Sequence, residues 1–152
     1  MIRCVYSILF TTVFLLSVSA QKTEAHDAIK GTWLTGKNEA TVQIFETKGS
    51  YHAKIISLSQ PLTKDGKIKT DHRNRNTALR KRPLIGILVF YNMKYNSTMR
   101  RWEGGKVYIP VLGKEADAVV QLINKTTLQI KGFIGNESLG QTQTWTRIEY
   151  KD

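Results

Sequence analysis

The sequence predicts an all-β fold, a single up-and-down antiparallel β-barrel of about eight strands, and three observations carry that expectation. From Lys30 onward apolar residues recur at period two, the repeat of a half-buried strand rather than of a helix. Gly, Asn and Asp interrupt this pattern every eight to twelve residues, the spacing of short strands joined by turns. The patterned region also carries Gly31-Thr32-Trp33 at its start and Thr144-Trp145-Thr146-Arg147 at its end. If the first and last strands meet, two indoles and a guanidinium gather at one end, so Trp33, Trp145 and Arg147 are the expected barrel closure.

Residues 1–20 stand outside that pattern. Arg3 precedes an apolar run from Val5 to Leu16, and Ser17-Val18-Ser19-Ala20 supplies small residues at the cleavage positions of a secretory signal peptide, cut after Ala20. The alternative, an uncleaved anchor, needs about 20 apolar residues, more than this run offers. Cys4 leaves with the signal, so the remainder is free of cysteine, which excludes disulfides, thiolate catalysis and thiolate metal binding. What remains is one domain, with residues 21–29 as an N-terminal tail and 30–150 as the barrel.

Strands are expected at 31–35, 40–47, 51–57, 86–93, 101–109, 116–123, 127–134 and 141–150. Lys48-Gly49-Ser50 and Asn124-Lys125-Thr126 are tight hairpins and Asn96-Ser97-Thr98 a slightly longer turn, which gives sequential, up-and-down order. One connection, the long basic loop at 59–83, exceeds a turn and reads as a lid or a folded excursion. Within it Lys64-Asp65-Gly66 suits a small hairpin, and 77–81 one helical turn. A barrel removes the free edges of such a sheet, whereas a sandwich would need more long crossings than this chain has.

Alternation puts Val42, Ile44, Ala53, Ile55, Ala118, Val120, Leu122, Leu128, Ile130, Gly132 and Ile134 on the inner face. Eight strands can enclose either a filled interior or one small ligand, and composition does not choose. The segment Trp102-Glu103-Gly104-Gly105-Lys106-Val107-Tyr108 is the densest central cluster. Plain alternation puts Trp102, Gly104, Lys106 and Tyr108 on one face, and the glycine pair marks a bulge or a close approach.

Charge and motifs narrow the function. Without residues 1–20 the chain holds 22 Lys and Arg against 12 Asp and Glu, a net charge of +10 that favours anionic partners. Export argues against nucleic acid. The long loop concentrates Lys64, Lys67, Lys69, Arg73, Arg75, Arg80, Lys81 and Arg82 against Asp65 and Asp71, either as a solvated loop or as a positive mouth. His26, His52 and His72 lack metal-ligand spacing, nucleophile and phosphate-loop motifs are absent, and Glu103 and Asp117 have no neighbours that would tune an acid–base pair. No metal, no cofactor and no catalytic residue is expected. The glycan-acceptor patterns at Asn96, Asn124 and Asn136 read as turn chemistry.

The ordered segments Gly31-Thr32-Trp33, Ala53-Lys54-Ile55, Arg82-Pro83-Leu84-Ile85-Gly86, Trp102-Glu103-Gly104-Gly105-Lys106 and Gly140-Gln141-Thr142-Gln143-Thr144-Trp145-Thr146-Arg147 resemble an exported bacterial family, domain of unknown function 2147. The resemblance spans essentially all of the chain after the signal and implies a periplasmic, lipocalin-like barrel. It also implies that Arg147 lies across Trp33 near the closed end and bonds to nearby carbonyls. Family members often have cysteines in the long loop, where this chain has Asp71-His72-Arg73-Asn74-Arg75.

The expected function is therefore non-enzymatic: a periplasmic carrier or sensor for a small apolar or fatty-acid-like ligand, an acidic head group being one form of it. Ile44, Ile55, Val120, Leu128 and Ile130 would supply the apolar lining, with Arg82, Trp102 and Tyr108 nearer the mouth. The alternative is a filled barrel whose basic surface meets an anionic envelope surface as an interaction or stress-response module.

Overall fold

The computed structural model describes residues 25–149, so the expected signal peptide, its cleavage after Ala20 and Tyr150, the last residue of the expected final strand, lie outside the described residues. Eight strands form a closed barrel in sequential order: β1 (Gly31–Leu34), β2 (Ala40–Thr47), β3 (Ser50–Leu58), β4 (Leu88–Asn96), β5 (Arg101–Ile109), β6 (Lys114–Asn124), β7 (Thr127–Phe133) and β8 (Gln141–Ile148). Every neighbouring pair is antiparallel, and β1 meets β8 with Trp33 opposite Arg147. Odd-numbered strands therefore start at one end of the barrel and finish at the other. The β2–β3, β4–β5 and β6–β7 turns share the first end, while the longer connections, including the one from β3 to β4, share the second.

Pleat alternation carries Val42, Ile44, Ala53, Ile55, Ala118, Val120, Leu128 and Ile130 into the core, whereas Ile134, expected inward with them, lies beyond the end of β7 and is 80% exposed. The exception lies in β5. Gly104 adopts φ 77°, which an L side chain rarely tolerates, and the register against β6 shifts between Trp102 and Gly105. That inserted residue reverses the parity beyond it: Trp102 and Gly105 are buried, while Gly104 and Lys106 are exposed. Trp102, Gly104, Lys106 and Tyr108 consequently do not share a face. Gly105 has its own constraint, because a Cβ there would collide with the Tyr91 carbonyl and lie 2.5 Å from Met93 Sδ.

Residues 25–29 are the described part of the expected tail, and they fold across the first end as a short 3-10 turn (Ala25–Asp27) followed by the buried Ile29. Side chains from three strands satisfy the carbonyls of this crossing. Trp102 Nε1 donates to His26 O (3.1 Å), Trp33 Nε1 to Ile29 O (2.9 Å), and Arg147 donates to Ala28 O (2.5 Å) and Lys30 O (2.7 Å). Arg147 Nε also donates to Lys125 O (2.7 Å), and its guanidinium carbon sits 4.2 Å from the centre of the Trp33 ring. Asp27 adds a side-chain anchor, accepting from Tyr51 Oη (2.9 Å) and Lys30 Nζ (2.6 Å).

Trp145 stands apart from this cluster. It lies one inward position further along the barrel wall, opposite Leu128, and stacks on Phe90 with ring centres 6.1 Å apart. The closed end is thus built by Trp33, Trp102 and Arg147, with Trp145 in the middle of the barrel. The reason is topological: β5 starts at the end where β8 finishes, which brings Trp102 to the plug and leaves Trp145, two residues before Arg147, one layer up.

Replacing Arg147 with Ala removes three charge-assisted hydrogen bonds and the contact with Trp33, so the fold should lose about 2–4 kcal/mol. Urea unfolding measures this directly, and an unchanged midpoint would show that the plug does not depend on Arg147.

Candidate ligand-binding cavity

The interior divides along the barrel axis. At the closed end the inward positions hold large side chains, Trp33, Ile44, Tyr51, Met93, Trp102 and Leu128, none more than 3% exposed. Tyr51 meets Trp102 edge-on at 6.1 Å and Tyr95 lies 4.9 Å from it, which leaves no room for a guest. Toward the open end the inward positions shrink to Ala40, Val42, Val89, Val107, Ala116 and Gly132, and a cavity of about 530 Å³ opens there. Small inward residues on eight strands leave volume, and a volume of this size is in the range of small-molecule sites.

The cavity wall is mainly apolar. Ile55, Leu58, Leu84, Ile109, Ile130 and Phe133 complete it, and Trp145 borders it where the packed half begins. Polar groups gather toward the mouth: Thr35, Glu39, Gln141 and Gln143. Gln143 Oε1 accepts from Trp145 Nε1 at 3.3 Å, which leaves the Gln143 amide nitrogen free to donate. Glu39 is the one charged side chain on the wall among the described residues.

The expected ligand residues separate into three groups. Ile55 and Ile130 line the cavity, and Tyr108 borders it. Ile44, Val120, Leu128 and Trp102 are buried in the packed half and do not reach the cavity, Trp102 lying at the closed end rather than near the mouth. Arg82 is outside the cavity altogether. Sequence reasoning missed Val42's neighbours on the open half, Val89 and Val107, along with Gln143. Alternation would have found Gln143, two residues before Trp145 on the same face.

Arg82 and Tyr108 belong to a different construction, the anchor of the long connection between β3 and β4. Asp71, only 1% exposed, accepts from Tyr108 Oη (2.5 Å), Asn74 Nδ2 (2.7 Å) and Arg82 Nε and Nη2 (3.0 and 2.8 Å). Asn74 Nδ2 also reaches Tyr108 Oη at 3.0 Å, and Arg80 Nε donates to Asn74 O at 2.8 Å. Burial pushes the Asp71 carboxyl up, but hydrogen bonds from Tyr108, Asn74 and Arg82 and the guanidinium charge outweigh it and hold it below the usual carboxylate range. The loop is therefore a folded excursion, with a small hairpin bridged at Leu62 and Ile68 and a 3-10 turn at Thr77–Leu79.

The carboxylates weighed as acid–base candidates are surface ion-pair members. Asn96 and Arg101 hold Glu103 below the usual carboxylate range, and Lys106 Nζ pairs with Asp117 at 2.6 Å. No group of three His, Cys, Asp or Glu suited to a metal occurs among the described residues, nor does a helix long and apolar enough to cross a membrane.

Comparison with known proteins agrees with this architecture. The family described as "Uncharacterized protein conserved in bacteria (DUF2147)" matches residues 31–147. Among solved structures, the chain is similar to protein HP1028 from the human pathogen Helicobacter pylori, described as belonging to the lipocalin family. The two share 26% identity with a TM-score of 0.67, over 79% of this chain and 82% of that one. A search of curated proteins finds no match.

Asp71→Ala should cost about 2–4 kcal/mol, because it leaves Tyr108, Asn74 and Arg82 without their shared acceptor. In the native protein the folded carboxyl titrates below its ordinary value of about 3.9, so the network contributes fully above that pH and its contribution disappears as pH falls through the lower, folded value. Unfolding the native protein and Asp71→Asn across acid pH should show the stability gap constant near neutrality and closing in that acid window. A gap that does not vary with pH would contradict the role of the ionised carboxylate.

Proposed function

The chain belongs to the DUF2147 family, and from that premise we propose that it binds one small hydrophobic molecule in the open half of its lipocalin-like barrel, as a carrier or sensor in the bacterial periplasm. The observation that carries this reading is the axial split of the interior, a packed and plugged half beneath a hollow apolar one. A protein that needed only a rigid barrel would gain from filling that volume, since interiors otherwise pack to crystal-like density.

The wall also bears on the ligand's polar end. The basic composition favoured an acidic head group, but no Lys or Arg lines the cavity among the described residues, and Glu39 would repel an anion at the mouth. An uncharged, hydrogen-bonding end suits Gln141, Gln143 and Thr35. For the apolar part, about ten methylenes moved out of water contribute on the order of 8 kcal/mol before the costs of association. That supports binding driven by burial and oriented by a few amides. The expected location in the periplasm rests on Arg3, the apolar run and the small residues ending at Ala20.

Three measurements test the reading. Ala116→Trp, at a wall position only partly buried, should fill the cavity and weaken uptake of the neutral dye N-phenylnaphthylamine by at least about tenfold with little change in thermal stability; equal uptake would place the dye elsewhere. A long-chain alcohol should displace the dye better than the fatty acid of equal length at neutral pH, and the reverse order would restore the acidic head group. N-terminal sequencing of the exported protein should begin at Gln21, whereas recovery of the intact chain in the membrane fraction would argue for an anchor.

A further inference from the structure

Positive charge that the cavity does not use lies along its rim, where the long connection alone holds Lys64, Lys67, Lys69, Arg73, Arg75, Arg80, Lys81 and Arg82. Three of the four connections at the open end each project two apolar side chains that are at least half exposed: Leu62 and Ile68 on the small hairpin, Val111 and Leu112 between β5 and β6, and Ile134 and Leu139 between β7 and β8. All six are between 50% and 80% exposed. At the closed end Met99 and Ile123 are the exposed large apolar residues among those described. Single exposed apolar residues are ordinary on a soluble surface, but paired tips gathered around one opening are not.

Cations flank each tip. Lys64, Lys67 and Lys69 lie along the hairpin that carries Leu62 and Ile68. The Arg73 backbone rests against Gly113, beside Val111 and Leu112, and Lys114 follows on the other side. The Lys131 stem lies against Gly140, next to Leu139. Most nearby acids are already neutralised: Asp65 by Lys67 at 3.0 Å, Asp71 by Arg82 at 2.8 Å and Glu137 by Arg101 at 2.9 Å.

We propose that this rim is a docking face for an anionic lipid bilayer, the six apolar tips entering the headgroup region while the surrounding lysines and arginines engage lipid phosphates. A bilayer fits the chemistry better than a protein partner. Protein interfaces centre on a contiguous core rich in aromatics and poor in lysine. The rim instead has separate aliphatic tips, no aromatic among them, set in lysines and arginines, which is the composition of an interfacial membrane anchor. Docked this way, the cavity mouth faces the membrane and a hydrophobic guest exchanges with lipid without crossing water. That last consequence rests on the proposed ligand site, whereas the docking does not.

The test uses residues 21–152, which hold the whole closed barrel, in vesicle flotation with phosphatidylcholine alone or mixed with phosphatidylglycerol. The protein should float with the anionic vesicles, release at high salt, and bind phosphatidylcholine much less. Lys69→Gln, Arg73→Gln and Arg75→Gln should each weaken flotation by about fivefold. Leu62→Ser, Ile68→Ser and Leu112→Ser combined should weaken it by at least about tenfold, with the unfolding midpoint and dye uptake unchanged because none of the three lines the cavity. Ala116→Trp should do the opposite, losing dye while still floating. Absence of flotation, equal flotation with neutral vesicles, an undiminished triple variant, or binding to soluble polyglutamate but not to vesicles would each overturn the proposal.

Discussion

The backbone carbonyls of residues 26–30 have to be satisfied where the chain crosses the end of the barrel, and most of the architecture depends on how that is done. No strand can pair with this segment, because β1 already has β2 and β8 as neighbours. Inward side chains do it instead: two indole N–H groups and one guanidinium, from β1, β5 and β8. Burial lowers the tendency of Arg147 to hold its charge, and the three carbonyls it meets, with the indole face beneath it, offset that cost. Because these donors come from strands on different sides of the barrel, the plug also ties the wall together.

A filled end below makes a hollow end above meaningful. Large residues crowd the inward positions next to the plug, and small or β-branched ones occupy the same strands further up. The transition falls at Trp145 and Phe90, whose stacked rings cap the packed layer. Charge follows a separate division. The wall of the cavity is apolar with a few polar groups and Glu39 as its one charge among the described residues, while no lysine or arginine lines it and several surround its rim. The Asp71 network keeps the long basic connection folded against β5. A buried carboxylate with all its donors in place fixes a loop without needing an oxidising environment.

Several features were legible in the residues alone. Period-two alternation located all eight strands to within a few residues, and the short turns dictated their order. The small hairpin and the helical turn inside the long connection were legible too, at Lys64-Asp65-Gly66 and at 77–81. The lining of the cavity was harder. Ile44, Val120 and Leu128 alternate inward just as Ile55 and Ile130 do, and alternation says nothing of height along the axis. Trp102 lies at the closed end and not near the mouth, because β5 starts at the same end as β1 and Trp102 is its second residue. For Tyr108 a single left-handed residue, Gly104, reversed the pleat.

By itself, then, the sequence determined the class of fold, the strand order and which face of most strands turns inward, because these follow from local periodicity and turn chemistry. Tertiary structure decided the rest. Which inward residues fill the barrel and which leave a cavity depends on the sum of side-chain volumes from eight strands at one level, and no single strand contains that sum. Likewise, Asp71, Tyr108 and Arg82 are 37 and 11 residues apart in sequence, and only closure of the long connection over β5 makes one buried network of them.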